Sequence, residues 1–340
     1  MTVFIARHIL ESTVFCLLLS GLACCLRKSA TARYAVWLVG IAKFAIPTVL
    51  LAGTGAKFAL FWPANSWLST LANRISALFV VFWGLLPLKV DREILAIWMG
   101  GMLVMAALWI MRLNRSRCLL SPATNEERTA LSEACEQLGF QGNVKLCVSG
   151  IQLEPTLHGF WQSTISVPRG LYNNLSSAEF RAVLLHELAH ARRLDNLASA
   201  FVHCLVCLFW FHPLLWFVER RLNVDRERAC DELVVACGAK PETYAAGILK
   251  VCKFHLFDKP LAASPGLSSI TGADLNRRLE LILNYQLSAR LIYFPRVLLA
   301  CVVILMTIVP IAGGYCEQCV SNGQGFAISS PVIPTKDQSK

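Results

Sequence analysis

Long apolar runs, separated by short charged stretches, are the main feature of the hydropathy pattern along the chain. A run of about twenty apolar residues is long enough to cross the hydrocarbon core of a bilayer as a helix. Runs of about that length occupy residues 3–26, 34–52, 94–111 and 291–314. The pattern predicts a multi-span α-helical membrane protein. It has an N-terminal membrane region over 1–112, a C-terminal span, and a short polar outer tail over 315–340.

Basic residues at the ends of these runs predict the orientation. Lys and Arg are concentrated in the turn 27–33 and in the stretch 112–128. Such clusters favour the cytoplasmic side of a membrane, where they lie near anionic headgroups. We therefore expect the N-terminus outside, the polar region 113–290 in the cytoplasm, and a multi-pass protein of a bacterial cytoplasmic membrane.

Two features of the membrane region do not fit a simple span. Segment 75–88 is apolar but only fourteen residues long, which predicts an interfacial or re-entrant element. Lys43 lies near the middle of the second run, close to Pro47. It is either a functional intramembrane charge, with Glu11 as the nearest candidate partner, or a lysine that snorkels along a kinked helix.

The polar region 113–290 carries helix and strand patterns together. Three segments have clear periodicity: a helical one at 125–138, and two alternating ones at 144–147 and 164–167. Ser176, with Glu179 three residues later, forms a capping box that begins a helix over about 177–193. These patterns predict an embedded α+β domain.

Composition agrees with a membrane protein. Hydrophobic residues make up 55% of the chain and charged residues only 16%, whereas a soluble protein is nearer a quarter charged. The net charge of +10 could indicate nucleic-acid binding. The basic residues, however, lie at the ends of the apolar runs and form no single block, so we expect the lipid bilayer as a partner and no direct nucleic-acid contact.

The pentapeptide HELAH, from His186 to His190, points to metal chemistry. Residues four apart lie on the same face of a helix, so both imidazoles can bind one Zn²⁺ ion. Glu187 lies beside that ion and is free to act on a water molecule as a general base.

A catalytic zinc ion usually has a third protein ligand. One class of HExxH protein uses a histidine six residues after the second, but Asn196 occupies that position. The alternative is a carboxylate on a later helix, and segment 219–237 offers Glu227 and Asp231 one turn apart. Glu227 could bind zinc while Asp231 accepts the free N–H of a ligating histidine. A solvated acidic and basic helix face is the other interpretation of the same spacing.

Several stretches resemble a known family. They are LEPTLHGFWQSTISVPRGLYNNLSSAEFRAVLLHELAHARRLDNL, FWFHPLLW and RRLNVDRERACDE, and they are similar to the BlaR/MecR-type membrane zinc metallopeptidases. The resemblance implies a cytoplasmic gluzincin domain that follows a few spans. It also implies His186, His190 and Glu227 as ligands, with Glu187 as the general base and Asp231 behind a ligand.

The chain departs from that family in two places. The antibiotic sensors carry a large outer penicillin-binding domain after the last span, whereas residues 315–340 contain no SxxK followed by KTG. We therefore expect no acylation by a β-lactam. His212 stands where a small polar residue is expected, and is either a core residue or a transition-state donor. Asp195 matches a recurrent family position, and a helix cap or an ion pair with Arg192 is the expected role.

The apolar run 197–218 poses a topological problem. It has 22 uncharged residues, enough to cross the membrane once. A crossing would separate His190 from Glu227 by a hydrocarbon core of about 30 Å. We therefore expect the run to enter the membrane and return at His212–Pro213, or to lie along the inner surface.

Together these features predict a membrane-embedded zinc endopeptidase of signal transduction. Its substrate would be a protein, either a regulator such as a transcriptional repressor or the chain itself. The rival hypothesis is a non-catalytic signalling scaffold whose fold is stabilised by zinc.

Overall fold

A computed structural model describes residues 2–26, 29–47, 92–115, 120–150, 154–258 and 272–284. The elements predicted at 75–88, 291–314 and 315–340 lie outside these ranges. The chain divides into two compact units. The unit formed by 12–45 and 90–299 contains every contact discussed below. The other is described only over 2–11 and 46–47.

The membrane region consists of helices wherever the structure describes it. They are α1 (Thr2–Cys25), α2 (Ala30–Ala42), a 3₁₀ turn (Lys43–Ala45) and α3 (Arg92–Arg115). Within the described part of the chain, two helical stretches are long and apolar enough to cross a membrane, by length and composition alone: His8–Cys25 and Arg92–Met111. They coincide with the predicted spans 3–26 and 94–111. The crossings themselves, and the completion of the span 34–52, stay predictions.

Lys43 does not extend along its own helix toward an interface. Its side chain is buried, and its Nζ lies 3.5 Å from the Ser12 Oγ on α1. This contact disfavours the snorkelling interpretation, and a functional role stays a prediction.

The polar region folds as helices around one small sheet. The strands are β1 (Leu120–Pro122), β2 (Val144–Ser149), β3 (Thr156–His158) and β4 (Ser163–Pro168). Their order is β1-β2-β4-β3, with the central pair parallel and both outer pairs antiparallel. The helices are α4 (Asn125–Leu138), α5 (Leu171–Asn174), α6 (Ser177–Arg192), α7 (Asp195–Leu208), α8 (Pro213–Ala236), α9 (Pro241–Asp258) and α10 (Gly272–Leu283).

Local signals account for the start of the two helices that frame the core. Thr124 and Glu127 form a capping box at α4, and Ser176 and Glu179 form the predicted one at α6. In each, the hydroxyl accepts from one backbone N–H while the carboxylate accepts from another. Helix α6 then packs against α4, α8, α9 and strand β3. Because neighbours cover it on several sides, most of α6 is buried.

The run 197–218 is not one helix. Helix α7 ends at Leu208, a turn covers 209–212, and α8 begins at Pro213, where proline fits the first helical position. The chain thus reverses at the dipeptide where a return was expected, and Glu227 lies on the same hairpin arm that comes back toward α6. The place of this hairpin in the bilayer stays a prediction.

Tryptophan side chains donate hydrogen bonds to two carbonyl groups at this turn. Trp98 of α3 donates its indole N–H to the Leu208 carbonyl at 2.8 Å, and Trp216 donates to the Trp210 carbonyl at 2.8 Å. Trp210 lies so close to Gly101 that a Cβ there would be 2.2 Å from the indole. Helix α3 thus covers part of the turn, as the predicted entry of this hairpin into the membrane would require.

His212 lies directly before α8 and packs away from the metal-binding motif. Its Nε2 lies 2.9 Å from the Thr13 Oγ1, and its ring packs edge-on against Phe44 with centroids 5.3 Å apart. Fifteen residues of helix, about 22 Å, separate it from Glu227. The contacts favour the core interpretation over the transition-state one.

Candidate metal centre

His186 and His190 lie one turn apart on the buried helix α6. Their ring centroids are 4.8 Å apart and their Nε2 atoms 3.3 Å apart. The helical repeat places both rings on one face. Both Nε2 atoms therefore point to the same position in space.

Glu227 of α8 completes a group of three donor atoms. Its Oε2 lies 3.4 Å from the His186 Nε2 and 3.8 Å from the His190 Nε2. In a tetrahedron with zinc–ligand bonds of 2.0–2.1 Å, the ligand atoms are about 3.4 Å apart. The three side chains form a potential metal-binding group in the described part of the chain. The spacing and the two nitrogens with one carboxylate oxygen fit zinc.

The second oxygen of Glu227 is held by an arginine. Arg226 donates to the Glu227 Oε1 at 3.0 Å and to the Ser199 Oγ of α7 at 2.8 Å. Burial raises the pKa of Glu227, but its hydrogen bonds with His186 and His190 outweigh burial and hold the pKa well below the usual value. The carboxylate is therefore ionised, as a metal ligand must be.

Asp195 holds His190 from behind. Its Oδ2 lies 2.9 Å from the His190 Nδ1 and 3.1 Å from the Arg193 Nε. A carboxylate that accepts from Nδ1–H leaves the lone pair of Nε2 free for a metal. The expected ion pair with Arg192 is wrong, because Arg192 donates instead to the Leu138 carbonyl.

A left-handed residue makes this contact possible. Leu194 has φ 56°, the one positive φ outside glycine in the described part of the chain, and it lies between α6 and α7. This conformation costs a residue with a Cβ about 1–2 kcal/mol. The sharp turn it produces brings Asp195 back against His190, so local strain serves the site.

A tyrosine and an arginine stand behind His186. The Tyr244 Oη lies 2.8 Å from the His186 Nδ1 and donates to the Asp231 Oδ1 at 2.5 Å. The direct distance from that Oδ1 to Nδ1 is 3.3 Å. Asp231 thus lies behind a histidine as expected, but its shorter connection to His186 runs through Tyr244.

Arg278 of α10 balances the charge of Asp231. It donates to both carboxylate oxygens, at 2.7 Å from Nε and 2.8 Å from Nη2, and its Nη2 is 3.4 Å from the His186 Nε2. Burial raises the pKa of Asp231, yet the charge of Arg278 and the hydrogen bond to His186 hold it well below the usual value. Neither Tyr244 nor Arg278 belongs to a local motif, so sequence reasoning missed both.

Glu187 is buried on α6 beside His186. Burial lowers the pKa of the His158 imidazole, which lies at the end of the edge strand β3, and the negative charge of Glu187 raises it by less. Glu187 has no hydrogen bond or ion pair with any residue that the structure describes, so its oxygens remain available to a water molecule.

A second group of potential donors shares His190. The Cys230 Sγ lies 3.3 Å from the His190 Nδ1 and 3.4 Å from the Asp195 Oδ2. Burial raises the thiol pKa to about 11. The Cys230 thiol donates to the Asp195 Oδ2, so it belongs to the hydrogen bonds behind His190.

Two histidines one turn apart on a buried helix, with a carboxylate from a later helix, are the arrangement of a class of metallopeptidases. The model of one peptidase family, BlaR1 peptidase M56, matches residues 3–282. The chain belongs to that family, which is membrane-associated.

Curated relatives agree with this assignment. The chain is 28% identical over 209 residues to the regulatory protein BlaR1 of Bacillus licheniformis, an alignment that covers 60% of this chain and 34% of the relative. It is 24% identical over 163 residues to the methicillin resistance mecR1 proteins of Staphylococcus aureus and Staphylococcus epidermidis, covering 46% of this chain and 28% of theirs. The chain thus spans about a third or less of the length of these relatives.

Proposed function

We propose that this chain is a zinc-dependent endopeptidase of a bacterial cytoplasmic membrane that cleaves a protein substrate in signal transduction. The substrate would be a regulator, such as a transcriptional repressor, or the chain itself. The observation that carries the proposal is the convergence of His186, His190 and Glu227, with Glu187 buried next to them and without a hydrogen bond among the described residues.

In this proposal His186, His190 and Glu227 would hold Zn²⁺, and the ion would supply Lewis-acid chemistry toward a water molecule and the scissile carbonyl. Glu187 takes the proton of the attacking water on a carboxylate oxygen and passes it to the leaving amine. Asp195 and Tyr244 keep a proton on the Nδ1 of each histidine, so that both Nε2 atoms stay free to bind.

The reaction would take place on the cytoplasmic face. Region 113–290 would form the peptidase domain, and the hairpin of α7 and α8 would enter the membrane from that side without crossing. The return of the chain at 209–212 and its cover by Trp98 support this topology.

A zinc-stabilised scaffold without activity is the competing hypothesis. Both hypotheses need the metal, but only the peptidase needs Glu187. The substitution Glu187→Gln keeps size and hydrogen-bonding capacity and removes the base. We expect unchanged zinc content and a loss of cleavage of about 10²-fold or more, the usual range for a lost general base.

Cleavage would be measured on the full chain in detergent, with fluorescein-labelled casein as the probe and fragments of the chain itself as a second readout. Glu133→Gln is the matched control, because Glu133 pairs with Arg181 at the surface of the same domain. Cleavage that survives Glu187→Gln would refute the assigned base. Zinc binding without cleavage by the parent chain would favour the scaffold.

A further inference from the structure

Helix α2 packs on the side of α8 opposite the metal-binding group. Asp225 and Glu232 are seven residues apart and therefore share one face of α8, whereas Glu227 lies about 200° around the helix from Asp225. Glu232 accepts from the Ala30 backbone N–H at 2.7 Å at the start of α2. The helix that carries the proposed third ligand is thus held between α2 and the metal centre.

The contact at Asp225 is buried and charged. Arg33 donates to the Asp225 Oδ1 from Nε at 2.9 Å and from Nη2 at 2.7 Å, and the Trp37 indole N–H donates to Oδ2 at 3.1 Å. From its place in the turn 27–33, Arg33 was expected to lie near lipid headgroups as a cytoplasmic anchor. Its guanidinium instead binds a carboxylate two residues before Glu227, and the cytoplasmic position of the turn stays a prediction.

Tyr34, the next residue of α2, reaches the other side of the metal centre. The Arg193 Cζ lies 4.7 Å above the Tyr34 ring, within the range of about 6 Å over which a cation is attracted to an aromatic face. The Arg193 Nη2 is buried and has no hydrogen-bond partner among the residues that the structure describes. The aromatic face is therefore a principal contact that holds this guanidinium in place.

Arg193 in turn orders the residue behind His190. Its Nε donates to both oxygens of Asp195, at 3.3 Å and 3.1 Å, and Asp195 Oδ2 lies 2.9 Å from the His190 Nδ1. A continuous line of contacts runs from the Tyr34 ring through Arg193 and Asp195 to His190. Each contact restricts the orientation of the next side chain.

We propose that α2 is a supporting arm of the metal centre, in which Tyr34 positions His190 through Arg193 and Asp195, and Arg33 with Trp37 fixes the helix of Glu227. Most of the arm lies in the predicted span 34–52, so we expect a displacement of that span to change the metal affinity of the site. The inference rests on the proposed function only for the identity of the metal.

The test measures zinc affinity of the purified full chain in detergent by competition with a chromogenic chelator. Tyr34→Leu removes the aromatic face, and we expect zinc affinity to fall about 10-fold or more, as for other residues behind a metal ligand. Tyr34→Phe keeps the aromatic face, so its zinc affinity should stay within a few-fold of that of the parent chain. Equal loss in the Phe and Leu variants would overturn the proposal.

A control lies on α8. Arg221 stacks on the Phe217 ring at 5.1 Å. Because Phe217 also packs edge-on against Trp37 of α2, with centroids 6.1 Å apart, the change is made at the arginine. Arg221→Leu removes the cation from this aromatic face and should leave zinc affinity unchanged. A loss equal to that of Tyr34→Leu would show a general effect on α8 and would overturn the assigned route.

A double-mutant cycle separates the route from simple destabilisation. Once Asp195→Asn has broken the line of contacts, Tyr34→Leu should have little further effect on zinc affinity. If the loss of zinc affinity in the double variant equals the product of the losses in the two single variants, the proposal is contradicted. If the parent chain binds no zinc at His186, His190 and Glu227, the proposed function fails. If it does bind zinc and Tyr34→Leu equals the parent, only this inference fails.

Discussion

The two histidines of the candidate metal centre are supported by different parts of the molecule. Behind His186 stand Tyr244 and Asp231, with Arg278 beyond them, all from α8, α9 and α10. Behind His190 stand Asp195 and Arg193, and that line ends on α2, a helix of the membrane region. Region 113–290 alone supports His186, whereas the support of His190 starts in that region and continues onto α2.

The two supports also differ in whether a carboxylate contacts the imidazole directly. Asp195 touches His190 itself, whereas Tyr244 lies between Asp231 and His186 and Arg278 offsets the charge of Asp231. Burial lowers the pKa of both histidines, but their acidic partners outweigh it. The pKa values of both histidines are raised above the usual value. Because the Asp195 carboxylate contacts its histidine directly, whereas the Asp231 carboxylate is linked to His186 mainly through Tyr244, loss of Asp195 is expected to affect zinc binding more strongly.

The largest expected effect comes from the ligands on either side. His190→Ala and Glu227→Ala should each remove most zinc from the purified chain, because two remaining ligands bind a metal far more weakly than three. Zinc would be counted per chain by elemental analysis after gel filtration. Near-stoichiometric zinc in both variants would break the ligand assignment, and with it the comparison of the two supports.

The second prediction tests whether both supports lie on the same side of the membrane. Cys230 is completely buried and cannot report on either side, so reporters are needed at exposed positions. Ser132→Cys on α4 and Val224→Cys on α8 would be placed in a chain whose accessible cysteines are replaced. A membrane-impermeant thiol reagent should modify neither in whole cells and both after the membrane is opened. If only position 224 reacts from outside, the hairpin crosses and Glu227 cannot meet His190.

The smallest expected effects come from the residues directly behind each histidine. Asp195→Asn should lower zinc affinity about 10- to 100-fold, the usual range for a residue behind a ligand. Tyr244→Phe should lower it by less, because the Asp231 Oδ1 already lies 3.3 Å from the His186 Nδ1 and can take over the hydrogen bond. Chelator competition on both variants measures the difference. A larger loss for Tyr244→Phe would reverse the order of the two supports.

Local pattern predicted much of the fold around the site. The helix expected at 125–138 is α4, and the capping box at Ser176 begins α6 as expected. The strand segments 144–147 and 164–167 lie inside β2 and β4. These succeed because caps and periodicities are set by neighbouring residues. The sheet order was not predictable, since pairing of β4 with both β2 and β3 depends on contacts between segments.

The turn within 197–218 was predictable for a different reason. No local signal other than Pro213 marks it, and apolar length alone favours a single span. The requirement that His190 and Glu227 meet imposed the reversal. The need for three ligands at one metal ion thus predicted the path of the chain between them.

Sequence alone determined the spacing of His186, Glu187 and His190 on one helix, and the later helix that carries Glu227 and Asp231, because a helical repeat places residues four apart together wherever it occurs. The residues that stand behind these side chains depend on how the helices pack. Tyr244 and Arg278 lie 58 and 92 residues from His186, and Arg33 lies 192 residues from Asp225. Such contacts produce no periodic pattern in the sequence, because they form between helices that are far apart along the chain.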